Sequence, residues 1–582
     1  NTLYNQRVSL RYDIPTSKLP LTDWILSSYN VSTTYNWIGA SRLAEALGNT
    51  IENTLSQQLT AQFNFGNFYR KSKYLRAALT EGGFQQPRTN PLASKILMTK
   101  EEALAGKTGK ERELALQKWK EARKQERIAQ RVLKANEPIN VPETVKSLAK
   151  FLTMLQSANL DYAENFNSRL PGFMSGVRFI EKDYSGLASN IDYMFGRQPD
   201  TAWLNQLEKK NMLTQDRAFN LMFRQGFEQK LNLRLMIEPV KSLIIDVNFN
   251  KSFTKEYSEL FKDTSYDFNG NKSHANPLSA GGFNISYLAL NTFFDVHDPN
   301  VISSQFKTFQ NYRSIISERV AANNPYWDNK KDPNGYAIGY GKYAQDVLIP
   351  SFIAAYTGQD PKKVSLLNQN NKNIRSNPFS GMLPKPNWTL LYNGLSKIPM
   401  LAEWFTNITL SHGYNGSLAM NSFTSSLLYT DIERRGAPSF KDTLSGNYVP
   451  YFLIPNITIG ERMEPLIGLN LTTVSQWSIR FEYKKSRLLA LSLVDYQLSE
   501  NNSTEWVFGT SYRKRGLKLP FSIPGLNNNK LSNDLTFRLD VSMRDVYNSN
   551  SRLDQTNAYG TGGQKEITLQ PSIDYVLNSK IN

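Results

Sequence analysis

The sequence predicts an all-β fold in which antiparallel strands cross a membrane as a β-barrel that carries helical and loop insertions. Three observations lead to this prediction. Between residues 476 and 545, apolar and polar residues alternate with a period of two, which is typical of strands that separate two environments. Each run has about ten residues, the length that a tilted strand needs to cross a bilayer. The sequence contains no run of about 18 apolar residues, so α-helical membrane spans are excluded.

Residues 1–93 are predicted to form barrel strands, because alternation begins at Val8 and recurs from Tyr29 to Trp37 and from Leu55 to Phe65. Residues 94–140 are predicted to form a charged helical insertion. Residues 100–134 contain eleven Lys or Arg, six Glu and no Pro, a composition that favours a solvated helix.

Residues 141–297 are predicted to return to barrel strands, including a short strand at residues 191–195. The apolar sets that begin at Leu231 and Leu243 flank Pro239, which predicts a hairpin. Residues 298–400 mix a helical pattern from Phe309 to Ala322 with Pro, Asn and Gly clusters. They are predicted to form an insertion that serves as a cap, a plug or a contact in the lumen.

Residues 401–582 are predicted to form barrel strands in a meander. Its strands are expected at residues 474–484, 488–498 and 504–513, with turns at residues 485–487 and 499–503, so neighbouring strands must be antiparallel. A short polar insertion is expected at residues 434–447. Weaker runs bring the expected total to roughly 14 to 20 strands. Both ends of the sequence are expected to be cut, because each lies at a strand pattern.

The composition limits the class of protein. The chain has 582 residues, 12% aromatic and 40% hydrophobic residues and a mean hydropathy of -0.47, which excludes a disordered polymer. It has no cysteine, so disulfides, thiol catalysis and thiolate metal sites are excluded. The net charge of +17 raises nucleic acid or an anionic membrane surface as a partner. Because Glu residues are interleaved with the basic residues of 100–134, a solvated helix is favoured and no nucleic-acid partner is predicted.

No candidate catalytic, cofactor-binding or metal-binding residues emerge, and the protein is predicted not to be an enzyme. The histidines His274, His297 and His412 lie far apart without companions at metal-ligand spacing. The cluster Gly335, Gly339 and Gly341 lacks phosphate-loop spacing, and its intervening tyrosines favour an aromatic loop that lines or plugs a cavity.

The alternation predicts whether each residue of the C-terminal strands faces the lipid or the lumen of the barrel. Basic residues on a lipid face would each cost about 2–4 kcal/mol at the bilayer midplane, so they are expected to face a hydrated lumen. The predicted lumen-facing residues are Arg480, Glu482, Lys484, Arg513, Arg538, Asp540 and Arg544. The predicted lipid-facing residues are Trp477, Ile479, Phe481, Tyr483, Trp506, Phe508, Tyr512, Phe537 and Leu539.

Several segments carry a resemblance to a known family: residues 47–51, Leu231 to Pro239, residues 387–396, 412–414, 460–465 and 481–487. Taken together, they resemble the SprA (Sov) family of outer-membrane translocon barrels in the type IX secretion system of Bacteroidetes. The resemblance spans nearly the whole chain. Because family members are much longer, it implies an arc or C-terminal part of a very large antiparallel transmembrane β-barrel.

The resemblance implies a bacterial outer-membrane channel that exports folded cargo proteins, with protein secretion and gliding motility as the associated processes. It also implies a small barrel of the PorV type at a lateral opening, a periplasmic plug protein, folded secreted cargo proteins and outer-membrane lipid as partners. Two other functions stay open. One is an outer-membrane transporter or porin-like barrel, and the other is a secreted β-rich adhesin or binding module, because soluble sandwiches show the same alternation.

Overall fold

The computed structural model describes residues 3–19, 22–72, 75, 99–106, 108–135, 149, 151, 153–174, 191–263, 272–295, 301–371, 373–516, 534–555 and 558–575. The chain is mostly antiparallel β-sheet, with 50% strand and 20% helix, and one large sheet holds 15 strands. The strands are β1 (Leu3–Ile14), β2 (Ile25–Ile38), β3 (Asn49–Asn64), β4 (Leu155–Phe173), β5 (Phe223–Ile237), β6 (Leu243–Lys262), β7 (Ser273–Ser286), β8 (Asn387–Tyr392), β9 (Phe405–Ser425), β10 (Phe452–Leu453), β11 (Asn456–Thr473), β12 (Trp477–Ser492), β13 (Gln497–Arg515), β14 (Asp534–Arg552) and β15 (Ala558–Tyr575).

The strand order in the sheet follows the order in the chain from β1 to β7 and then runs through β9 and β11 to β15. Pairing is antiparallel wherever the register is defined, as the short predicted connections require. The hairpin predicted around Pro239 is confirmed, since β5 and β6 are neighbours.

Strands β7 and β8 occupy a single position in the sheet, end to end between β6 and β9. Ser273–Ser286 pairs with residues 251–262 of β6, and Asn387–Tyr392 pairs with residues 243–248 of the same strand. On the other side, both β7 and β8 pair with β9. Residues 287–386, which we call the central insertion, therefore interrupt one strand of the sheet rather than connect two neighbouring strands.

The helices lie outside the sheet. They are α1 (Phe65–Tyr69), α2 (Lys100–Leu104), α3 (Gly109–Ala135), α4 (Ile191–Met194), α5 (Thr201–Lys209), α6 (Ser304–Ala322), α7 (Gln345–Thr357) and α8 (Pro399–Ala402). Helix α6 is capped by Ser303, whose side chain accepts a hydrogen bond from the backbone of Phe306, and it contains the predicted helical pattern. None of the described helices has both the length and the apolar character needed to span a membrane.

Two hydrophobic clusters join helices to the sheet. The larger one contains the buried side of α6, nearly all of α7, and sheet residues such as Phe283, Leu418 and Leu489. The second places Leu204 and Leu207 of α5 against sheet residues such as Ile51. Burial of the apolar side chains stabilises both clusters, at about 25 cal/mol for each Å² removed from water.

Contacts divide the chain into two compact units. The first comprises Asn1–Gln62, Ala158–Met236 and Lys241–Asn582, and the second comprises Phe63–Ser157 and Ile237–Val240. In the second unit, Thr99 forms a capping box with Glu102 at the start of α2, and the Tyr69 hydroxyl donates to the Leu155 carbonyl oxygen at 3.0 Å. The charged residues of 100–134 fall in α2 and α3, apart from Lys107, which lies outside the described residues.

Three local predictions are wrong. Residues 191–194 form helix α4 instead of a strand, because Tyr193 is buried and packs in parallel on Trp203 of α5, with 5.0 Å between ring centroids. Residues 485–487 and 499–503 are not turns, since β12 and β13 run through them and pair without a bulge. The turn between these strands lies at residues 493–496.

Candidate functional site

The nine residues predicted to face lipid lie on one side of β12, β13 and β14. Cross-strand pairing aligns them, because Trp477 pairs with Tyr512 and Tyr512 pairs with Phe537. The rings of Trp477 and Tyr512 lie 4.7 Å apart, and those of Tyr483 and Trp506 lie 4.3 Å apart. The nine residues are Trp477, Ile479, Phe481, Tyr483, Trp506, Phe508, Tyr512, Phe537 and Leu539. We call this side of the sheet the apolar face.

The seven residues predicted to face a lumen lie on the opposite side, which we call the polar face. They are Arg480, Glu482, Lys484, Arg513, Arg538, Asp540 and Arg544. Arg480 Nε donates to Glu482 at 2.7 Å, and Lys484 lies 3.5 Å from both Glu482 and Glu505. The Arg513 guanidinium is paired with Asp534. The charges on this face are therefore held in a network that links β12 with β13.

Gly509 makes room for the charged residues on the polar face. It pairs with Arg480 of β12 on one side and with Asp540 of β14 on the other. A Cβ atom at this position would lie 2.5 Å from Asp540 Oδ1. Glycine at position 509 of β13 therefore leaves space for the side chains of Arg480 and Asp540 on either side.

The apolar face carries further apolar side chains on eight other strands of the sheet. Its other members are Val8, Leu10 and Tyr12 of β1, Tyr29 and Val31 of β2, Leu231, Leu233 and Leu235 of β5, Leu243, Ile245 and Val247 of β6, Leu390 of β8, Ile408 and Leu410 of β9, Ile467, Leu469 and Leu471 of β11, and Ile567, Leu569 and Ile573 of β15. Leu10 is 64% exposed and Trp506 is 48% exposed. We call this set, with the nine residues above, the apolar band.

The polar face is also continuous beyond the C-terminal strands. There it consists of hydrogen-bonded Ser, Thr, Asn and Glu side chains together with ion pairs such as Arg169 with Glu52 and Arg234 with Asp246. Cross-strand hydrogen bonds join Thr34 with Thr54 at 2.6 Å, Ser28 with Thr60 at 2.8 Å, Ser56 with Asn165 at 2.7 Å, and Asn165 with Glu228 at 3.0 Å. The two faces therefore differ in chemistry over the whole width of the sheet.

The strands are longer than the apolar band. The longest, β9, has 21 residues, and at about 3.3 Å per residue it extends about 70 Å, roughly twice the length of a strand that crosses a bilayer. In β12 the band ends at Tyr483, and the same face continues through Arg487, Leu489 and Leu491, which are buried. Each long strand thus has an exposed apolar part and a second part on the same face that helices cover.

The helices that cover the second part belong to two groups. Helices α6 and α7 of the central insertion pack on Phe283, Ile285, Leu418, Met420, Ile457, Ile459, Leu489 and Leu491. Helices α4 and α5 pack on Tyr35, Trp37, Ile51, Leu170, Phe173, Phe223 and Phe261. All of these strand residues except Phe173, which comes three positions after Leu170 in β4, follow the alternation of the apolar face, so we call this part the covered zone. Both helical groups therefore lie on the face that carries the apolar band.

A buried ion pair holds the start of the central insertion on the covered zone. Arg487 of β12 donates to Glu461 of β11 at 2.5 and 3.1 Å, and the two side chains are 5% and 1% exposed. Arg487 also donates to the Thr292 carbonyl oxygen at 2.7 Å, and the Tyr414 hydroxyl donates to Glu461 at 2.8 Å. The charges are thus satisfied by three strands and by the inserted chain, as buried charges require.

A second buried charge lies inside the central insertion. Asp346, in the first turn of α7, is 4% exposed and accepts a hydrogen bond from Gln369 at 2.9 Å. Burial raises the pKa of this carboxyl to about 7, because the ionised form loses its hydration.

The pair of Glu461 and Arg487 is not among the residues predicted from the sequence. Residues 485–487 were predicted to be a turn, although Arg487, Leu489 and Leu491 follow the period of two and so do Ile457, Ile459 and Glu461. One charge of each sign at an otherwise apolar position of two neighbouring strands is the signal that predicts such a pair.

The histidines and the aromatic loop considered in the sequence analysis make contacts within the fold. His274 Nδ1 lies 2.8 Å from Glu259, and His412 Nδ1 lies 2.7 Å from the Leu466 carbonyl oxygen, whereas His297 lies outside the described residues. Across the described ranges, no group of three or more His, Asp or Glu residues has metal-binding geometry. The aromatic loop at 335–343 contributes Tyr340 to the larger hydrophobic cluster, where its ring lies 5.2 Å from that of Tyr448.

Comparison with protein-family models and with curated proteins identifies no relative. No protein-family model matches the chain, and no curated protein matches it at significant similarity. The chemistry of the two sheet faces is therefore the basis for a functional assignment.

Proposed function

We propose that the chain is a wall segment of a very large β-barrel in the bacterial outer membrane. The observation that carries this proposal is the apolar band, which lies on one face of eleven of the 15 strands while the opposite face is polar. A water-soluble sheet would cover such a band with its core. Here many of its members, including Leu10, Trp506 and Ile573, are exposed.

On this proposal, the apolar band contacts outer-membrane lipid and the polar face lines a hydrated lumen. Barrels in membranes have this alternation of apolar outward and polar inward residues. The ion pairs of Arg480, Lys484 and Arg513 support this orientation, because charges in a lumen keep both water and counter-charges. Folded cargo can pass a wide hydrated pore without being stripped of its hydration.

We further propose that this barrel is a protein-conducting channel of the type IX secretion system. The support is the resemblance of the sequence to the SprA (Sov) family, together with a sheet of 15 strands that exceeds the usual size of open sheets. A PorV-type barrel at a lateral opening, a periplasmic plug protein and folded secreted cargo are the partners that follow. Transport through such a pore is passive, so its direction has to come from these partners.

The position of the central insertion indicates which role it has in the proposed channel. Its helices pack on the face that carries the apolar band, so they lie on the outer side of the wall, beyond the membrane. Of the three expected roles, cap, plug or lumen contact, this geometry favours a structure outside the pore.

The absence of cysteine makes a direct test possible, because single-cysteine variants report on one position each. Thr510→Cys and Ser511→Cys are neighbours in β13 and lie on the apolar face and the polar face, respectively. In intact outer membranes, a charged, water-soluble thiol reagent should modify Ser511→Cys and leave Thr510→Cys unmodified, while both should react after denaturation.

Equal reaction of both variants in membranes would contradict the proposal. Recovery of the chain as a water-soluble monomer without detergent would favour an adhesin or binding module. An image of the detergent-solubilised particle separates the remaining alternatives, because an ordinary porin or transporter has a much narrower barrel than a channel for folded proteins.

A further inference from the structure

A cavity of about 570 Å³ opens in the covered zone between the two helical groups. Its floor is formed by Leu55 of β3, Phe166 of β4 and Gln225 of β5. Its walls are formed by residues 198–200, which precede α5, and by residues 373–375 of the central insertion. This volume is in the range of sites for small molecules, and the cavity is lined by both apolar and polar side chains.

A buried lysine projects into this cavity from the sheet. Lys255 of β6 is 2% exposed, and its ammonium donates to Asn371 Oδ1 at 2.5 Å and to the Asn373 carbonyl oxygen at 3.1 Å. The ammonium also lies 5.6 Å from the centre of the Phe452 ring, so its three contacts are two neutral oxygens and an aromatic ring. Among the described residues, no carboxylate lies within ion-pair distance of Lys255.

The other charged groups of the cavity have partners. Arg375 is paired with Glu164 at 3.0 Å, and Asp200 accepts a hydrogen bond from the backbone of Trp203 at the start of α5. A buried cation without an anionic partner is unfavourable, because the lost hydration is not replaced. Burial accordingly lowers the pKa of Lys255 to about 7.

A second polar atom in the cavity lacks a partner. Gln198 Oε1 is buried and accepts no hydrogen bond, although its amide nitrogen donates to Asn53 Oδ1 at 3.2 Å and to the Gly196 carbonyl oxygen at 3.1 Å. A buried acceptor without a donor costs free energy, so it favours an occupant that can donate. The cavity is therefore bordered by one buried cation without an anionic partner and one buried acceptor without a donor.

We propose that this cavity binds a small organic carboxylate whose anionic group pairs with Lys255 and whose apolar body packs on Phe166 and Leu55. This site is separate from the pore, so the inference does not depend on the proposed function. A ligand that also carries an N–H or O–H donor would satisfy Gln198 as well. The charge of the ligand, rather than its shape alone, should determine binding.

The experiment compares two probes of nearly equal shape, 4-fluorobenzoate and 4-fluorobenzamide, by ¹⁹F NMR titration of the purified chain. The benzoate should bind saturably, and the neutral amide should bind at least about tenfold more weakly because it cannot form an ion pair with a buried ammonium. Equal binding of the two probes, or no saturable binding of the benzoate, would overturn the proposal.

Lys255→Met is the test variant, since it removes the charge and keeps a long apolar side chain. The matched control is Lys251→Met, four residues earlier on the same face of β6, where the ammonium donates to the Met382 carbonyl oxygen outside this cavity. Lys255→Met should lose benzoate binding, and Lys251→Met should keep it. Unchanged binding by Lys255→Met refutes the assignment.

If Lys255→Met does not fold, a measurement on the unmodified chain tests whether Lys255 pairs with the bound carboxylate. Calorimetric titration with the benzoate at pH 8, in two buffers of different ionisation enthalpy, gives the number of protons taken up. Because an anion beside Lys255 favours the protonated ammonium, proton uptake close to one per site is expected. Binding without proton uptake contradicts a role for Lys255.

Discussion

Tyr287 and Gly416 touch through their backbones at the point where the chain leaves the sheet. The Tyr287 amide donates to the Gly416 carbonyl oxygen at 2.9 Å, and a Cβ atom on Gly416 would lie 2.1 Å from the Tyr287 carbonyl oxygen. Tyr287, the first residue of the central insertion, therefore packs its backbone against Gly416, where β9 has no side chain.

Gly416→Ala should destabilise the chain by about 1–3 kcal/mol, because backbone atoms have to move to admit the methyl group. Gly460→Ala in the adjacent strand β11 is the matched control, since a Cβ there meets only Ser417 Oγ at 3.4 Å and Leu488 at 3.7 Å. Denaturant unfolding in detergent measures both variants. If Gly416→Ala lowers the free energy of unfolding no more than Gly460→Ala does, the Tyr287 backbone is not in close contact with Gly416.

The buried pair of Glu461 and Arg487 predicts strongly non-additive mutations. Glu461→Gln leaves the Arg487 guanidinium buried without a counter-charge and should destabilise the chain by about 3–5 kcal/mol. The double variant Glu461→Leu with Arg487→Met removes both charges and should recover most of that loss. Additive losses in a double-mutant cycle of unfolding free energies would contradict a coupled pair.

Asp346 should make stability fall as the pH rises from about 4 to about 7. The folded-state pKa is raised to about 7 from 3.8, so in this window the folded chain keeps a proton that the unfolded chain releases. The free energy of unfolding should therefore decrease by about 1.4 kcal/mol per pH unit, or about 4 kcal/mol in total. Above pH 7 this contribution stays lost.

Asp346→Asn should flatten this part of the pH profile, because an amide does not titrate and retains an oxygen that can accept from Gln369. Asp442→Asn is the control, since hydrogen bonds from Ser445 lower the pKa of that surface carboxyl. Unfolding curves at pH 4.5, 6 and 7.5 test the difference. A profile of Asp346→Asn that is parallel to the wild-type profile would contradict the prediction.

The two faces of β13 should respond differently to a charge. Phe508→Arg places a guanidinium on the apolar band, which should cost about 2–4 kcal/mol near the bilayer midplane. Val507→Arg places the same group on the polar face beside Glu482 and should be tolerated. The folded fraction in phospholipid bilayers over a urea series measures both, and equal destabilisation would count against a lipid-facing band.

Much of the sheet could be predicted from the sequence because alternation is a local property. The faces of Trp477 and Arg480 follow from a period of two, and an antiparallel meander follows from short connections. The turn predicted at 485–487 is wrong because a polar residue need not contact solvent. Arg487 is polar and buried, and its partner Glu461 is 26 residues away in sequence.

The covered zone could not be predicted for a related reason. Leu489 and Leu491 lie on the same face of β12 as Phe481. Alternation alone therefore cannot distinguish the segment of the strand that helices cover from the segment that is exposed. Whether a helix lies over a strand depends on contacts such as Phe352 with Phe309, which join distant segments. The helix at 191–194 was missed because its stability comes from packing on α5 rather than from local periodicity.

The shared position of β7 and β8 has a consequence for the evolution of this protein. Extending the two registers toward each other brings Ser286 opposite Asn250 and leaves Asn387 opposite Asn248, so a single residue fills the gap, opposite Phe249. A deletion of residues 287–385 would join Ser286 to Pro386 and restore an uninterrupted strand with every side chain on its original face. Such an insertion can be acquired, exchanged or lost in one genetic event while the sheet around it keeps its pairing.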